Sequence, residues 1–311
     1  MKVSVPAHLH TGNFDLTGDL GRLYGTVGFA IDVPILIKIK KSSEISANEK
    51  WAEKFTKFFV ELFGLEGLKV EVESEVIPLT GMGYVTSVAL GIGFGASKIA
   101  GKNLKVEDLA FLVKRGLLTA LGLYAFKFGG FIVEGGFKID AKDKMVPPLL
   151  FRGDVPENWN FVVVVPEEPA KKIIEMREKY EDLILSKLKK MPAQLSSELS
   201  RIVLMKIIPS FIEKDLKNFV NGLWLLNSKI GDFWSEYQGS RYCSQIVEKG
   251  ISVMLEKTGC GCQSSWGPTF YTVAEKDVAK ELAKEMVEFL KDFGGGKVFC
   301  TKANNKGATY D

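Results

Sequence analysis

The most conspicuous chemistry in this 311-residue sequence lies in two glycine-rich segments far apart along the chain, and the first is Gly81–Ser87. It combines Gly81 and Gly83 with the hydroxyls of Thr86 and Ser87, directly before a helical pattern. Glycines let backbone N–H groups approach an anion, and a helix start adds positive partial charge. The competing interpretation is a plain turn with a hydroxyl cap. The segment is neither a Walker A loop nor a dinucleotide fingerprint, and on its own it fits a plain turn better than a binding loop. Jointly with the second segment, we expect it to contact a phosphate group.

The second segment, Gly259–Pro268, is denser in polar groups. Gln263, Ser264 and Ser265 supply hydrogen-bonding side chains, and Trp266 offers an aromatic surface. A structural turn does not need this density of polar groups beside Trp and Pro, so a ligand-binding loop is the favoured interpretation.

His8 and His10 are the only histidines, and a spacing of two places them on one face of a strand. No third ligand accompanies them, which disfavours a dedicated metal site. His10 is either an active-site residue or a hydrogen-bonded structural one. The acids nearest this strand are Asp15, Asp19 and Asp32. Each is either a turn or cap residue or a partner for Mg²⁺, with a pyrophosphate supplying further oxygens.

Several arginines lie in loops or beside glycines, where a guanidinium suits phosphate. Arg22, Arg115 and Arg241 are the candidates of interest, and a surface salt bridge is the alternative for each.

The elements that must position these residues form a mixed pattern. Alternation predicts strands over 2–10 and 22–40 with a loop at 11–21 between them. Helical spacing predicts helices over 51–63, from the end of the first glycine-rich segment to about 100, over 106–114 and over 117–128. Helices then dominate from 168 to about 257. The order indicates an α+β, two-lobed fold, with a strand-rich domain at 1–150, a helix-rich domain at 151–311 and a linker near 147–156. It disfavours a doubly wound parallel sheet.

Composition narrows the function. The net charge is only +3 and both signs are mixed along the chain, which disfavours a nucleic-acid partner. The start of the chain does not have a signal-peptide pattern, and no apolar run approaches the length of a membrane span. The four cysteines suggest reduced thiols, so we expect a cytoplasmic enzyme.

Taken together, these residues resemble the GHMP superfamily and, within it, the β-ribofuranosylaminobenzene 5′-phosphate synthase family of methanopterin biosynthesis. The resemblance covers nearly the whole chain. It is carried by the stretches at 6–10, 14–18, 20–22, 25–31, 129–136, 147–152 and 238–242, and most specifically by Gln263–Thr269.

The resemblance implies a GHMP-kinase-like fold with a different reaction. The enzyme, a pentosyl transferase (glycosyltransferase), would condense phosphoribosyl pyrophosphate with 4-aminobenzoate or 4-hydroxybenzoate, releasing CO₂ and pyrophosphate. It implies Mg²⁺, no ATP and a homodimer. Asp15 and Arg22 would lie near the metal and pyrophosphate, and His10 near the benzoate or ribose. The residues at 81–87 and 263–266, with Arg115 and Arg241, would bind substrate.

Two departures from the family pattern keep alternatives open. The phosphate loop has Tyr84-Val85 where the synthases have Ser-Gly, and we expect Tyr84 to narrow the pocket or to stack on a ligand. His8 replaces a usual arginine. Gly122, which stands where many GHMP kinases have a catalytic Asp, speaks against kinase chemistry. The alternatives are an ATP-dependent small-molecule kinase and an inactive ligand-binding homologue.

Overall fold

A computed structural model describes residues 1–142 and 144–311 of the chain. The strands are β1 (Lys2–Asp15), β2 (Arg22–Lys41), β3 (Ser46–Ala47), β4 (Leu68–Ser74), β5 (Phe131–Glu134), β6 (Phe137–Lys138), β7 (Leu149–Gly153), β8 (Trp159–Pro166), β9 (Cys262–Gln263), β10 (Phe270–Glu275), β11 (Gly296–Lys302) and β12 (Thr309–Tyr310). The helices are α1 (Lys50–Phe63), α2 (Tyr84–Ile99), α3 (Val106–Val113), α4 (Leu121–Lys127), α5 (Glu167–Ser186), α6 (Ala193–Ile202), α7 (Ile208–Ile212), α8 (Leu216–Gln238), α9 (Gln245–Thr258) and α10 (Lys276–Lys291). A π-helical segment, Val203–Ile207, joins α6 to α7.

The strands form two sheets. In residues 1–142 and 144–311, the first is built on β1 and β2 and has eight strands, while the second has four in the order β11-β8-β10-β9. Within the described residues, β3–β4 is the one parallel pair. The predicted α+β class, without a doubly wound parallel sheet, is confirmed.

The segment predicted as a loop at 11–21 is partly strand. A bulge between His10 and Gly12 shifts the register, after which Asn13 pairs with Thr26 and Asp15 with Tyr24. The glycine-and-aspartate pattern was misleading because a bulge lets a strand continue through a glycine. A turn remains only over residues 16–21, where Gly18 and Gly21 adopt positive φ.

Two further boundaries differ from prediction. The helix expected over 117–128 is confined to α4, since residues 114–120 form an irregular loop. The predicted linker contains β7, which pairs antiparallel with β5. Proline and glycine on both sides hid this edge strand in the sequence.

The two halves of the chain share one core. Strand β7 crosses the expected boundary at residue 150, and β12 returns the chain end to β1. The ring of Phe29 in the first sheet lies 5.1 Å from that of Phe161 and 6.4 Å from that of Tyr271 in the second. Strand β1 itself is paired with β2 on one side and with β12 on the other. None of the described helices is long and apolar enough to cross a membrane.

Candidate functional site

A cavity of about 1070 Å³ opens beside the middle of β1. Its walls come from β1, α1, the start of α2, the loop after α3, α5, α8 and the turn at 263–266. Three carboxylates lie in its lining, those of Glu178, Glu181 and Asp182, against seven Lys and Arg side chains: Lys50, Lys54, Lys114, Arg115, Lys142, Arg177 and Arg241. This excess of cations is suited to a polyanionic ligand.

The segment Gly81–Ser87 forms one edge of the cavity. Gly81 (φ 98°) and Gly83 (φ 74°) adopt left-handed conformations, and Gly83 is the N-cap of α2. Thr86 lines the cavity. The Ser87 hydroxyl faces the other way, donating a 3.4 Å hydrogen bond to the carbonyl of Pro6. The loop thus shapes the edge, and Thr86 is the side chain that it presents.

The two glycine-rich segments are in direct contact through Ser264. Its fully buried hydroxyl donates to the carbonyl of Gly81 at 2.6 Å and accepts from the backbone N–H of His10 at 2.9 Å. A Cβ at Gly81 would overlap the carbonyl oxygen of Ser264. Ser264 therefore joins β1, the phosphate loop and the 263–266 turn, and it does not line the cavity.

Gln263 is also occupied by protein partners. Its side chain accepts from the N–H of Cys243 at 2.7 Å and donates to Gln238 Oε1 and to the carbonyl of Ser265. The backbone N–H of Gln263 donates to Oδ1 of Asn227, and its carbonyl accepts from Nδ2 of the same side chain. Asn227 Nδ2 also donates to the carbonyl of Thr11 at 2.6 Å. Gln263 and Asn227 fix the wall of the cavity from within.

Ser265 and Trp266 complete this wall. Ser265 is exposed, adopts φ 55° and lines the cavity together with the largely buried Trp266. The ring of Trp266 meets that of Trp234 edge to face, at 5.1 Å between centroids and 62° between planes. Two indole rings at this end can accommodate a flat aromatic ligand.

Both histidines line the cavity and are neutral near pH 7. Burial lowers the pKa of His8 to about 4, with a further contribution from His10. Burial also lowers the pKa of His10 to about 4, and the nearby Arg177 cation acts in the same direction. Neither histidine therefore adds a positive charge to the site.

Two arginines supply charge beside them. Arg177 donates to the carbonyl of Leu79 at 3.0 Å and forms a two-point ion pair with Glu181. Arg115 lines the same region; burial and the neighbouring Arg177 lower its pKa, which Glu181 and Asp182 oppose. No hydrogen bond or ion pair from the Arg115 side chain occurs within the described residues, which makes it the guanidinium best placed to accept an anion.

Arg241 differs from Arg115. It lines the cavity but pairs with Asp232 through Nε and Nη2, at 2.6 Å and 3.1 Å. Its charge is largely balanced by this exposed carboxylate.

The remaining candidates lie outside the lining. Asp15 Oδ1 accepts from both the backbone N–H and the hydroxyl of Thr17, at 2.8 Å and 2.7 Å. Arg22 donates to the carbonyl of Gly136 at 2.9 Å. The structure does not bring these two side chains to the cavity, and their metal and pyrophosphate roles stay predictions.

A resident metal does not fit the residues present. Across 1–142 and 144–311, no three His, Cys, Asp or Glu side chains are arranged to hold a metal ion. A divalent cation would therefore have to arrive with the phosphate groups of a ligand.

Tyr84, expected to narrow the pocket or stack on a ligand, does neither. It is buried outside the cavity lining, where burial, with the neighbouring Glu49 carboxylate acting in the same direction, raises the pKa of its hydroxyl. Glu49 caps α1, accepting from the backbone N–H groups of Trp51 and Ala52. The larger residue therefore packs beside the start of α1.

Sequence reasoning missed several lining residues because they reach the cavity only through tertiary packing. Lys50 and Lys54 belong to an ordinary amphipathic helix, and Arg177 with Glu181 has the spacing of a surface ion pair. Asn13, three positions after His10, also escaped strand periodicity, because the bulge in β1 is what returns it to the face of the histidines. The missed residues are Asn13, Tyr24, Lys50, Trp51, Lys54, Arg177, Asn227 and Trp234.

Comparison with known proteins gives sequence relatives and fold relatives. No family model matches the chain. It is 28% identical to the β-ribofuranosylphenol 5′-phosphate synthase of Methanocaldococcus jannaschii, over 99% of both chains. The corresponding figures are 27% for the synthase of Archaeoglobus fulgidus, over 100% of this chain and 99% of that one. The synthase of Methanothermobacter thermautotrophicus is 25% identical, over 98% and 97%.

Solved structures give the fold. Homoserine kinase from Cytophaga hutchinsonii superposes with a TM-score of 0.66 at 13% identity, covering 99% of this chain and 96% of that one. Mevalonate kinase from Methanococcus jannaschii gives 0.63 at 14% identity, covering 98% of each. The resemblance expected from the sequence is confirmed: the chain has the fold of the homoserine and mevalonate kinases and is similar over its whole length to the β-ribofuranosylphenol 5′-phosphate synthases.

Proposed function

We propose that the protein is a β-ribofuranosylphenol 5′-phosphate synthase, a decarboxylating pentosyl transferase of methanopterin biosynthesis. It transfers ribose 5-phosphate from phosphoribosyl pyrophosphate to the ring carbon of 4-hydroxybenzoate that carries the carboxylate. The observation that carries the proposal is one cavity with a cationic excess and a pair of indole rings. The relatives' name specifies a phenol product, which favours 4-hydroxybenzoate over 4-aminobenzoate.

The charge of the cavity suits departure of pyrophosphate. As the ribose C1–O bond breaks, negative charge accumulates on the leaving group, and preorganised cations stabilise that charge. Arg115 and Arg177 lie near one another in the lining, and Arg177 reaches the start of the phosphate loop through its bond to the carbonyl of Leu79. Mg²⁺ would enter as part of the substrate complex.

The part of the cavity lined by Trp234 and Trp266 suits the benzoate acceptor. The ring carbon attacks C1, the new C–C bond forms, and the carboxylate leaves as CO₂ while its bonding pair restores aromaticity. No proton is removed from that carbon, so neutral His8 and His10 are consistent with the chemistry. The pairing of Arg241 with Asp232 also favours decarboxylation. An unpaired cation bound to the benzoate carboxylate would stabilise the ground state and so oppose the loss of CO₂.

The kinase alternative rests on the fold. Where many GHMP kinases have their catalytic Asp, this chain has Gly122, and the imidazole of His8 packs against it. No carboxylate base stands at that position.

Incubation with phosphoribosyl pyrophosphate, Mg²⁺ and each benzoate, with ATP as the comparison ligand in thermal shift, tests the proposal. Product with 4-hydroxybenzoate, and stabilisation by phosphoribosyl pyrophosphate in preference to ATP, is expected. Stabilisation by ATP alone, without product, would favour the kinase. A cytoplasmic homodimer remains part of the proposal.

A further inference from the structure

The imidazole of His8 occupies an unusual position at the floor of the cavity. It is 91% buried yet contributes to the lining. A Cβ at Gly83 would overlap the ring, and one at Gly122 would lie 2.8 Å from His8 Cε1 and 2.9 Å from Thr86 Cγ2. The ring is thus held between the phosphate loop and the start of α4, in space that exists because both neighbours are glycines.

The hydrogen bonding of this ring is incomplete. Nδ1 is buried and has no partner among the described residues, while no protein partner engages Nε2. A buried N–H without an acceptor is rarer than a buried lone pair without a donor. The neutral ring is therefore best satisfied with its proton on Nε2, the nitrogen that a ligand could reach.

On the basis of the proposed function, we propose that His8 is a ligand-contacting residue. It donates a hydrogen bond from Nε2 to a phosphoryl oxygen of the sugar phosphate, and Gly122 makes room for it. Its neighbours at this edge are the left-handed Gly83, the α2 N-terminus and the Thr86 hydroxyl, which together favour an anionic oxygen. His8 is a neutral donor where the family usually has a charged arginine. The contact therefore selects its ligand by the position of the accepting oxygen and not by a full positive charge.

Binding measurements on single variants test the contact. His8→Phe keeps the ring and removes the donor, and should weaken binding of the phosphoryl ligand about 10- to 100-fold, as for a lost bond to a charged group. His8→Gln, which places a donor near the former Nε2, should recover part of the affinity. Gly122→Ala should weaken binding without backbone strain, since Gly122 has ordinary helical φ.

Two probes distinguish the source of the oxygen. Inorganic pyrophosphate and ribose 5-phosphate are titrated separately into wild type and His8→Phe; the probe whose affinity falls identifies the group contacted. Unchanged affinity for both would overturn the inference. Failure of wild type to make product, with both probes still bound through His8, would instead contradict only the proposed function.

Nitrogen-15 NMR of the imidazoles gives a readout independent of affinity, since the chain has only two histidines. With His10→Gln to assign the signals, His8 should show the Nε2–H tautomer at pH 7 and a shifted Nε2–H resonance on saturation with the probe. An Nδ1–H tautomer, or an unmoved resonance in the saturated protein, would contradict the contact.

Discussion

The two glycine-rich segments of this protein use their polar groups in opposite ways. In the 263–266 turn, the side chains of Gln263 and Ser264 form hydrogen bonds with protein groups and so join β1, the phosphate loop and the segment before α9. In Gly81–Ser87, Thr86 is presented to the cavity, and Gly83 makes room for His8. Conspicuous polar residues can therefore be structural supports, while the plainer loop offers the groups that a ligand meets.

The largest expected effect comes from the contact between the segments. Gly81→Ala would combine left-handed strain with overlap on the Ser264 carbonyl, so we expect a loss of roughly 2–5 kcal/mol in the free energy of unfolding. Gly259→Ala is the matched control, since Gly259 has φ 71° but nothing within 4 Å of an added Cβ; it should cost only about 1 kcal/mol. Urea unfolding of both variants measures the difference. Equal losses would mean that the contact is not tight.

Ser264→Ala separates support from binding. The substitution leaves the Gly81 carbonyl and the His10 N–H without their partner, at a cost of roughly 2–4 kcal/mol in unfolding free energy. Ser265→Ala, one residue on and exposed, should change stability by less than about 0.5 kcal/mol. If Ser265→Ala proved the more destabilising in urea, the division of roles within the turn would be wrong.

Glu134 is a buried polar group outside both segments, and it predicts a pH effect. Burial, opposed by hydrogen bonds from Thr26 and Gly136, raises its pKa from 4.5 to about 7. The folded state therefore keeps a proton that the unfolded state has lost, so stability falls as pH rises from 4.5 through 7, by about 3 kcal/mol at most.

Glu134→Gln removes this titration. Its stability relative to wild type should rise between pH 5 and pH 8, measured by urea unfolding at each pH. The contributions of His8 and His10, which favour folding more as pH rises from 4 to 6.5, are present in both proteins and cancel. Parallel pH profiles would show that Glu134 does not titrate there.

The smallest expected effect concerns the phosphate loop. Thr86→Val removes the hydroxyl of a cavity-lining residue and should raise the KM for phosphoribosyl pyrophosphate by about 5- to 30-fold with little change in unfolding free energy. Ser87→Ala is the matched control, because the Ser87 hydroxyl bonds to the carbonyl of Pro6 within the protein. This variant should leave KM unchanged. A larger KM effect in Ser87→Ala would reverse the roles assigned to these neighbours.

The sequence was informative where structure follows local rules. Helical spacing and Gly64 predicted α1 and its left-handed C-cap, and strand alternation predicted β2. It failed where a bulge carried β1 to Asp15 and where an edge strand followed Pro147-Pro148. Register and edge pairing depend on partners distant in the chain, which local patterns do not specify.

For the site, residue type indicated the segments but not the direction of each side chain. Nothing local distinguishes Thr86, in the lining, from Ser87, packed against β1. Arg177, in α5, lies near His10 although more than 150 residues separate them in the chain. Residues that meet through tertiary packing leave no mark in a single sequence.

The most direct test of the proposed function is the stoichiometry of one reaction. With phosphoribosyl pyrophosphate, Mg²⁺ and carboxyl-labelled 4-hydroxybenzoate, the protein should release labelled CO₂ and pyrophosphate in equal amounts, and only when both substrates are present. Absence of both products from folded protein that binds phosphoribosyl pyrophosphate would contradict the account.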